Sequence, residues 1–171
     1  VDEAHNLPDR ARGYASPGLS LGLVSAAIDG LTPLPEYAAC TELVQDVADW
    51  LAQSMDIVPR GGEMAYPLED GLESKQVAEL SGRFDELGMD YALLKAETPA
   101  FMEGDPFLDI ARSLSRIRST LERAGEETVV IWRNRGGKSP PGVSLLCRDP
   151  SRVLGPTFAD LSASVVMSAT L

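Results

Sequence analysis

Residues 105–132, DPFLDIARSLSRIRSTLERAGEETVVIW, change their periodicity partway along. Phe107, Ile110, Ala111, Leu114, Ile117, Leu121 and Ala124 recur at steps of three and four, the spacing of one buried helix face. Asp105 suits an N-cap, Pro106 suits the first helical position, and Gly125 supplies a stop. The next run, Thr128-Val129-Val130-Ile131-Trp132, is β-branched and apolar, and Val143-Ser144-Leu145-Leu146-Cys147 answers it across a Gly- and Pro-rich connection, 134–142. The two runs predict an antiparallel pair. A helix feeding a β pair places the chain in the mixed α/β class.

The helical pattern extends towards the N-terminus. Cys40, Leu43, Val44, Val47, Ala48, Leu51 and Met55 form one stripe, stopped by Pro59-Arg60-Gly61-Gly62. Val77, Leu80, Phe84, Leu87, Tyr91 and Leu94 form another, close to a coiled-coil seam, although Gly82 and Gly88 weigh against its continuity. Leu19–Leu31 reads as a short helix, 6–18 as a loop and 61–73 as a linker with little pattern. Asp149-Pro150-Ser151 begins a short helix to about Leu161, and 165–167 reads as a buried strand.

The 171 residues are 44% hydrophobic and 24% charged, ordinary for a globular chain with a real core. No run approaches the ~20 apolar residues of a membrane span, so no membrane partner is expected. The formal charge of -11 argues against a general nucleic-acid-binding surface. Acidic residues dominate up to Glu103, however, while Arg112, Arg116, Arg118, Arg123, Arg133, Arg135 and Lys138 crowd the later part. Cys40 and Cys147 are too few for a disulfide framework or a four-thiolate cluster and read as buried small hydrophobes. They fit a reducing, cytoplasmic setting.

Short polar motifs stand at both ends. Val1-Asp2-Glu3-Ala4-His5 ends an apolar residue in two carboxylates and a histidine, and Val165-Val166-Met167 runs into Ser168-Ala169-Thr170. Paired carboxylates after a strand suit a nucleotide site, one for Mg²⁺ and one to deprotonate the attacking water. Both motifs fit the carboxyl ends of parallel strands, where open α/β sheets bind ligands.

With Asp-Glu-Ala-His-Asn-Leu-Pro-Asp-Arg-Ala-Arg at 2–12, Leu-Cys-Arg-Asp-Pro-Ser-Arg-Val-Leu at 146–154 and Met-Ser-Ala-Thr-Leu at 167–171, the chain resembles the XPD/DinG family of iron–sulfur, superfamily-two DNA helicases. The resemblance is residue by residue at the two ends and one of architecture in the middle. It implies a segment of a RecA-like motor domain, parallel strands plus a β pair, carrying a mostly α-helical Arch insertion. The segments would be 1–18, the DEAH motif and following loop; 19–126, the insertion; and 127–171, the return to the motor. Asp2 would hold Mg²⁺ through water, Glu3 would act as base, and His5 would link the nucleotide site to Ser168, Ala169 and Thr170, which couple hydrolysis to strand movement. The implied activity is ATP-driven 5′ to 3′ translocation on single-stranded or forked DNA with unwinding, in DNA repair, in the cytoplasm or at the nucleoid. Protein partners would dock on the Arch.

No G-x-x-x-x-G-K-[ST] phosphate loop occurs in the sequence, so these residues alone are expected to be inactive. The ligands of the 4Fe–4S cluster that the resemblance implies are likewise expected outside them. Arg112, Arg116 and Arg123 opposite one apolar stripe, and Arg133, Arg135 and Lys138 at the hairpin-like turn, are candidate DNA-phosphate contacts; a solvated helix face and a polar turn are the plainer alternative. Trp50, Tyr91 and Trp132 can stack on bases, but their apolar faces favour core packing. Two other functions remain open: a helical protein-interaction module, and a DNA translocase that does not unwind.

Overall fold

A computed structural model describes residues 6–136 and 140–160. Four strands form one antiparallel sheet in the order β1-β4-β3-β2: β1 (Gly18–Ser20), β2 (Glu63–Pro67), β3 (Thr128–Arg133) and β4 (Gly142–Cys147). The expected pair is its centre, with Trp132 opposite Val143 and Val130 opposite Leu145. Strand alternation puts Thr128, Val130, Trp132, Val143, Leu145 and Cys147 on one buried face.

Helices cover that face. α3 (Ala38–Met55), α5 (Ser74–Glu97) and α6 (Pro106–Leu121) bury the stripes expected of them, and with α2 (Leu21–Leu31) they form one continuous core with the sheet. Val24, Ala27 and Leu31 line α2, whose start is capped by the Ser20 hydroxyl accepting from the Leu23 N–H at 3.3 Å. Trp50 of α3 meets Trp132 edge to face at 5.9 Å, and the Trp132 indole N–H donates to the Gly71 carbonyl at 2.8 Å. That bond satisfies a buried donor, so the ring is fixed as well as packed. Trp50, Tyr91 and Trp132 are therefore core residues and not a stacking platform for bases.

α6 begins where its sequence dictates. Asp105, only 8% exposed, caps it by accepting from the Leu108 N–H at 3.1 Å. The same carboxylate accepts from the Tyr91 hydroxyl at 2.8 Å and pairs with Lys95 at 2.6 Å, which ties α5 to α6. Tyr91 also stacks on Phe107 at 4.2 Å and meets Tyr37 edge to face at 5.7 Å. Burial, aided by the bond to Asp105, pushes the Tyr91 hydroxyl far above its usual range.

Several local expectations are revised. α5 runs unbroken through Gly82 and Gly88, because Val77, Leu80, Phe84 and Tyr91 anchor it on both sides of them. The patternless 61–73 contains β2 and a short turn of helix, α4 (Leu68–Gly71). β2 is an edge strand with mostly exposed side chains, so it carries no alternation to read, and its pairing with β3 creates it. The loop expected at 6–18 contains α1 (Leu7–Tyr14) and the start of β1, which exists by pairing with β4. The short C-terminal helix is α7 (Ser151–Ala159), and α1 packs against it. The parallel strand expected at 165–167 lies outside the described residues.

Candidate nucleic-acid interface

Asp2, Glu3, His5, Ser168, Ala169, Thr170 and Lys138 lie outside the described residues. Among those described, the expected contact residues fall into two separate groups. Arg112, Arg116 and Arg123 are on or just after α6, and Arg133 and Arg135 are at the far end of β3. Arg123 precedes the start of β3 and Arg133 ends it, roughly 17 Å further along for a six-residue strand.

The α6 group is largely occupied. Arg112 pairs with Asp109 at 2.7 Å, one turn back on the same helix. Arg123 turns onto its own helix end, donating to the Ser119 carbonyl at 2.9 Å and hydroxyl at 2.7 Å. Arg116 reaches the Tyr14 carbonyl at 3.4 Å and fastens α6 to α1, and Arg118 faces Asp85 at 3.5 Å. These are the bonds of a solvated helix face; such exposed ion pairs contribute little to stability.

The β3 group is built differently. Arg133, 26% exposed, donates to Glu63 at 3.2 Å and to the Ser144 hydroxyl at 2.8 Å, holding the three strands β2, β3 and β4 together. Asn134 donates its side-chain amide to the carbonyl of Met55, the last residue of α3, at 3.2 Å and to that of Val58, in the turn that follows, at 2.6 Å. Its own carbonyl oxygen accepts from the Arg135 N–H at 2.7 Å. The Gly61 N–H then donates to the Arg135 carbonyl at 2.7 Å, and the Asn134 N–H to the Gly62 carbonyl at 3.1 Å. Two turns distant in sequence are thus laced into one.

That lacing also brings in Arg60, whose place in the sequence marks only the stop of α3: through the Gly61 N–H bond it adjoins Arg135, and both side chains are exposed. A signal for it exists in the sequence: Arg-Gly-Gly occurs at 60–62 and again at 135–137.

Neither cysteine is available as a ligand or nucleophile. Cys40 sits within α3 and Cys147 ends β4, and burial pushes both thiols up from their ordinary value. Among the described residues no three His, Cys, Asp or Glu side chains are placed to hold a metal ion. None of the described helices is long and apolar enough to cross a membrane. No model of a known protein family matches the chain, and neither does any curated protein.

Proposed function

We propose that the chain is the central segment of an ATP-dependent DNA helicase resembling the XPD/DinG family. The observation that carries this reading is the packing of α1 on α7. α1 directly follows Asp2-Glu3-Ala4-His5, and α7 leads towards Ser168-Ala169-Thr170, so their contact draws the approaches to both motifs together. Two motifs that share one nucleotide site need such a return of the chain. The helices of 19–126 would then stand as the Arch, and the β pair would lead back into a motor whose parallel RecA-like sheet is completed by strands ending at Val1 and at 165–167.

In this reading Asp2 holds Mg²⁺ through water and Glu3 accepts a proton from the attacking water. Bound Mg²⁺ and ATP supply charge neutralisation and the transferable phosphoryl group. His5, Ser168 and Thr170 offer the hydrogen bonds by which nucleotide state reaches the DNA grip. Movement along single-stranded or forked DNA from 5′ to 3′, in DNA repair, in the cytoplasm or at the nucleoid, belongs to the same proposal, as does a 4Fe–4S cluster held by residues elsewhere in the motor.

The test is DNA-stimulated ATP hydrolysis by the full-length protein carrying Glu3→Gln. Loss of a general base predicts a fall of about 100-fold or more. Normal hydrolysis would overturn the reading and favour a second one, for which there is a specific observation. Met89 and Leu93, four residues apart on α5, are 71% and 61% exposed, with Glu86, Asp90 and Glu97 also exposed on that helix. An acidic rim around an apolar pair suits a basic amphipathic helix of a protein partner.

A further inference from the structure

We propose that the two laced turns, Arg60–Gly62 and Arg135–Gly136, form a binding site for the phosphate backbone of single-stranded DNA, with Arg60 and Arg135 as its phosphate ligands. The choice of DNA rests on the helicase reading; the anion site rests on the turns themselves.

The first ground is the state of the two guanidiniums. Arg12, Arg83, Arg112, Arg118 and Arg133 each face a carboxylate. The side chains of Arg60 and Arg135 are exposed and have no hydrogen-bond or ion-pair partner among the described residues. The nearest acids by sequence are Asp56 and Glu63, and Glu63 is already taken by Arg133. In a chain of net charge -11, two cations on neighbouring turns with no partner among the described residues make a local exception.

The second ground is rigidity. Each arginine adjoins the Gly61 N–H to Arg135 carbonyl bond, and Asn134 pins that junction to the end of α3 through two further bonds. The side chains therefore leave from fixed points, and little backbone order must be created on binding. Gly61 at φ 73° and Gly136 at φ 96° occupy the left-handed region that other residues avoid, so the turns need glycine. Without side chains there, a polymer backbone can approach closely. Arginine suits such contacts, because its planar fork donates two parallel bonds to a phosphate. A turn surface of this kind suits a strand that passes over it.

The experiment measures fluorescence anisotropy of a labelled oligothymidylate, about 20 nucleotides long, titrated with the whole protein without nucleotide. Arg60→Gln with Arg135→Gln should weaken binding at least about tenfold and lower the salt slope by about 1.4, two phosphates' worth for a single strand. Arg112→Gln with Arg123→Gln removes the same charge from α6 and should leave affinity within about twofold. Unchanged binding in the first pair, or an equal loss in both, would overturn the site. Release of the strand by millimolar inorganic phosphate would also overturn it, by revealing an isolated anion pocket. Arg60→Lys with Arg135→Lys keeps both charges but not the fork, so it should keep the parent's salt slope while losing part of the affinity; a salt slope as low as that of the glutamines, with unchanged melting, would count against phosphate contacts. Because Glu3→Gln reads hydrolysis and these variants read binding, either proposal can fail without the other.

Discussion

Asp105 shows how one side chain can set the position of two helices. Its carboxylate caps α6, accepts the Tyr91 hydroxyl and pairs with Lys95. The Lys95 side chain is 42% exposed, so water screens that pair and the cap and the hydroxyl carry most of the effect. Replacement by alanine removes a cap, worth about 1 kcal/mol, and leaves the buried tyrosine hydroxyl without an acceptor, at about 1–3 kcal/mol. Asp105→Ala should therefore lower stability by about 2–4 kcal/mol, a fall of roughly 5–15 °C in Tm followed by circular dichroism. Asp105→Asn keeps an oxygen for both donors and should cost less than half as much. Equal losses in the two variants would mean that the ion pair, and not the cap and hydroxyl, dominates.

Among the elements, β4 has the least room to change. Gly142 lies between Arg133 of β3 and Ser20 of β1, and its φ of 146° is one that L side chains rarely adopt. A Cβ there would run into the Leu19 carbonyl and lie 2.9 Å from the Ser20 Cα. Gly142→Ala should cost about 3 kcal/mol or more, and hydrogen exchange should show β1 losing protection before β3 does. Uniform loss across the sheet would show that β1 does not yield separately. The elements differed in how far their own residues announced them. The stripes of α3, α5 and α6 and the β3–β4 pair were legible, because burial of one face writes its period into the sequence. β1 and β2 were not, since each is an edge strand whose partner lies more than sixty residues away along the chain. Arg60 was hidden for the same reason: a turn becomes half of a site only when another turn is folded against it. The terminal motifs were legible as words, while their geometry lies outside the described residues.

At the scale of the whole molecule, charge and architecture divide the labour. The acidic excess falls mainly in the first hundred residues, and the two laced turns offer a positive exception to it. The core joins helices and sheet without a break, so the strands drawn from the start, middle and end of the chain are held by one hydrophobic body. The contact of α1 with α7 carries a consequence for connectivity. If those helices hold the two ends of this body side by side, the order in which its parts are strung is not a condition of folding. A circular permutant of residues 6–160, with Asp160 joined to Asn6 by a glycine-serine linker and opened between the exposed Met102 and Glu103, should keep its helical signal and melt within a few degrees of the unpermuted 6–160. A broad, non-cooperative transition would show that the original order matters. Success would make the body portable, able to be threaded into a host chain by a single loop and to fold there on its own terms.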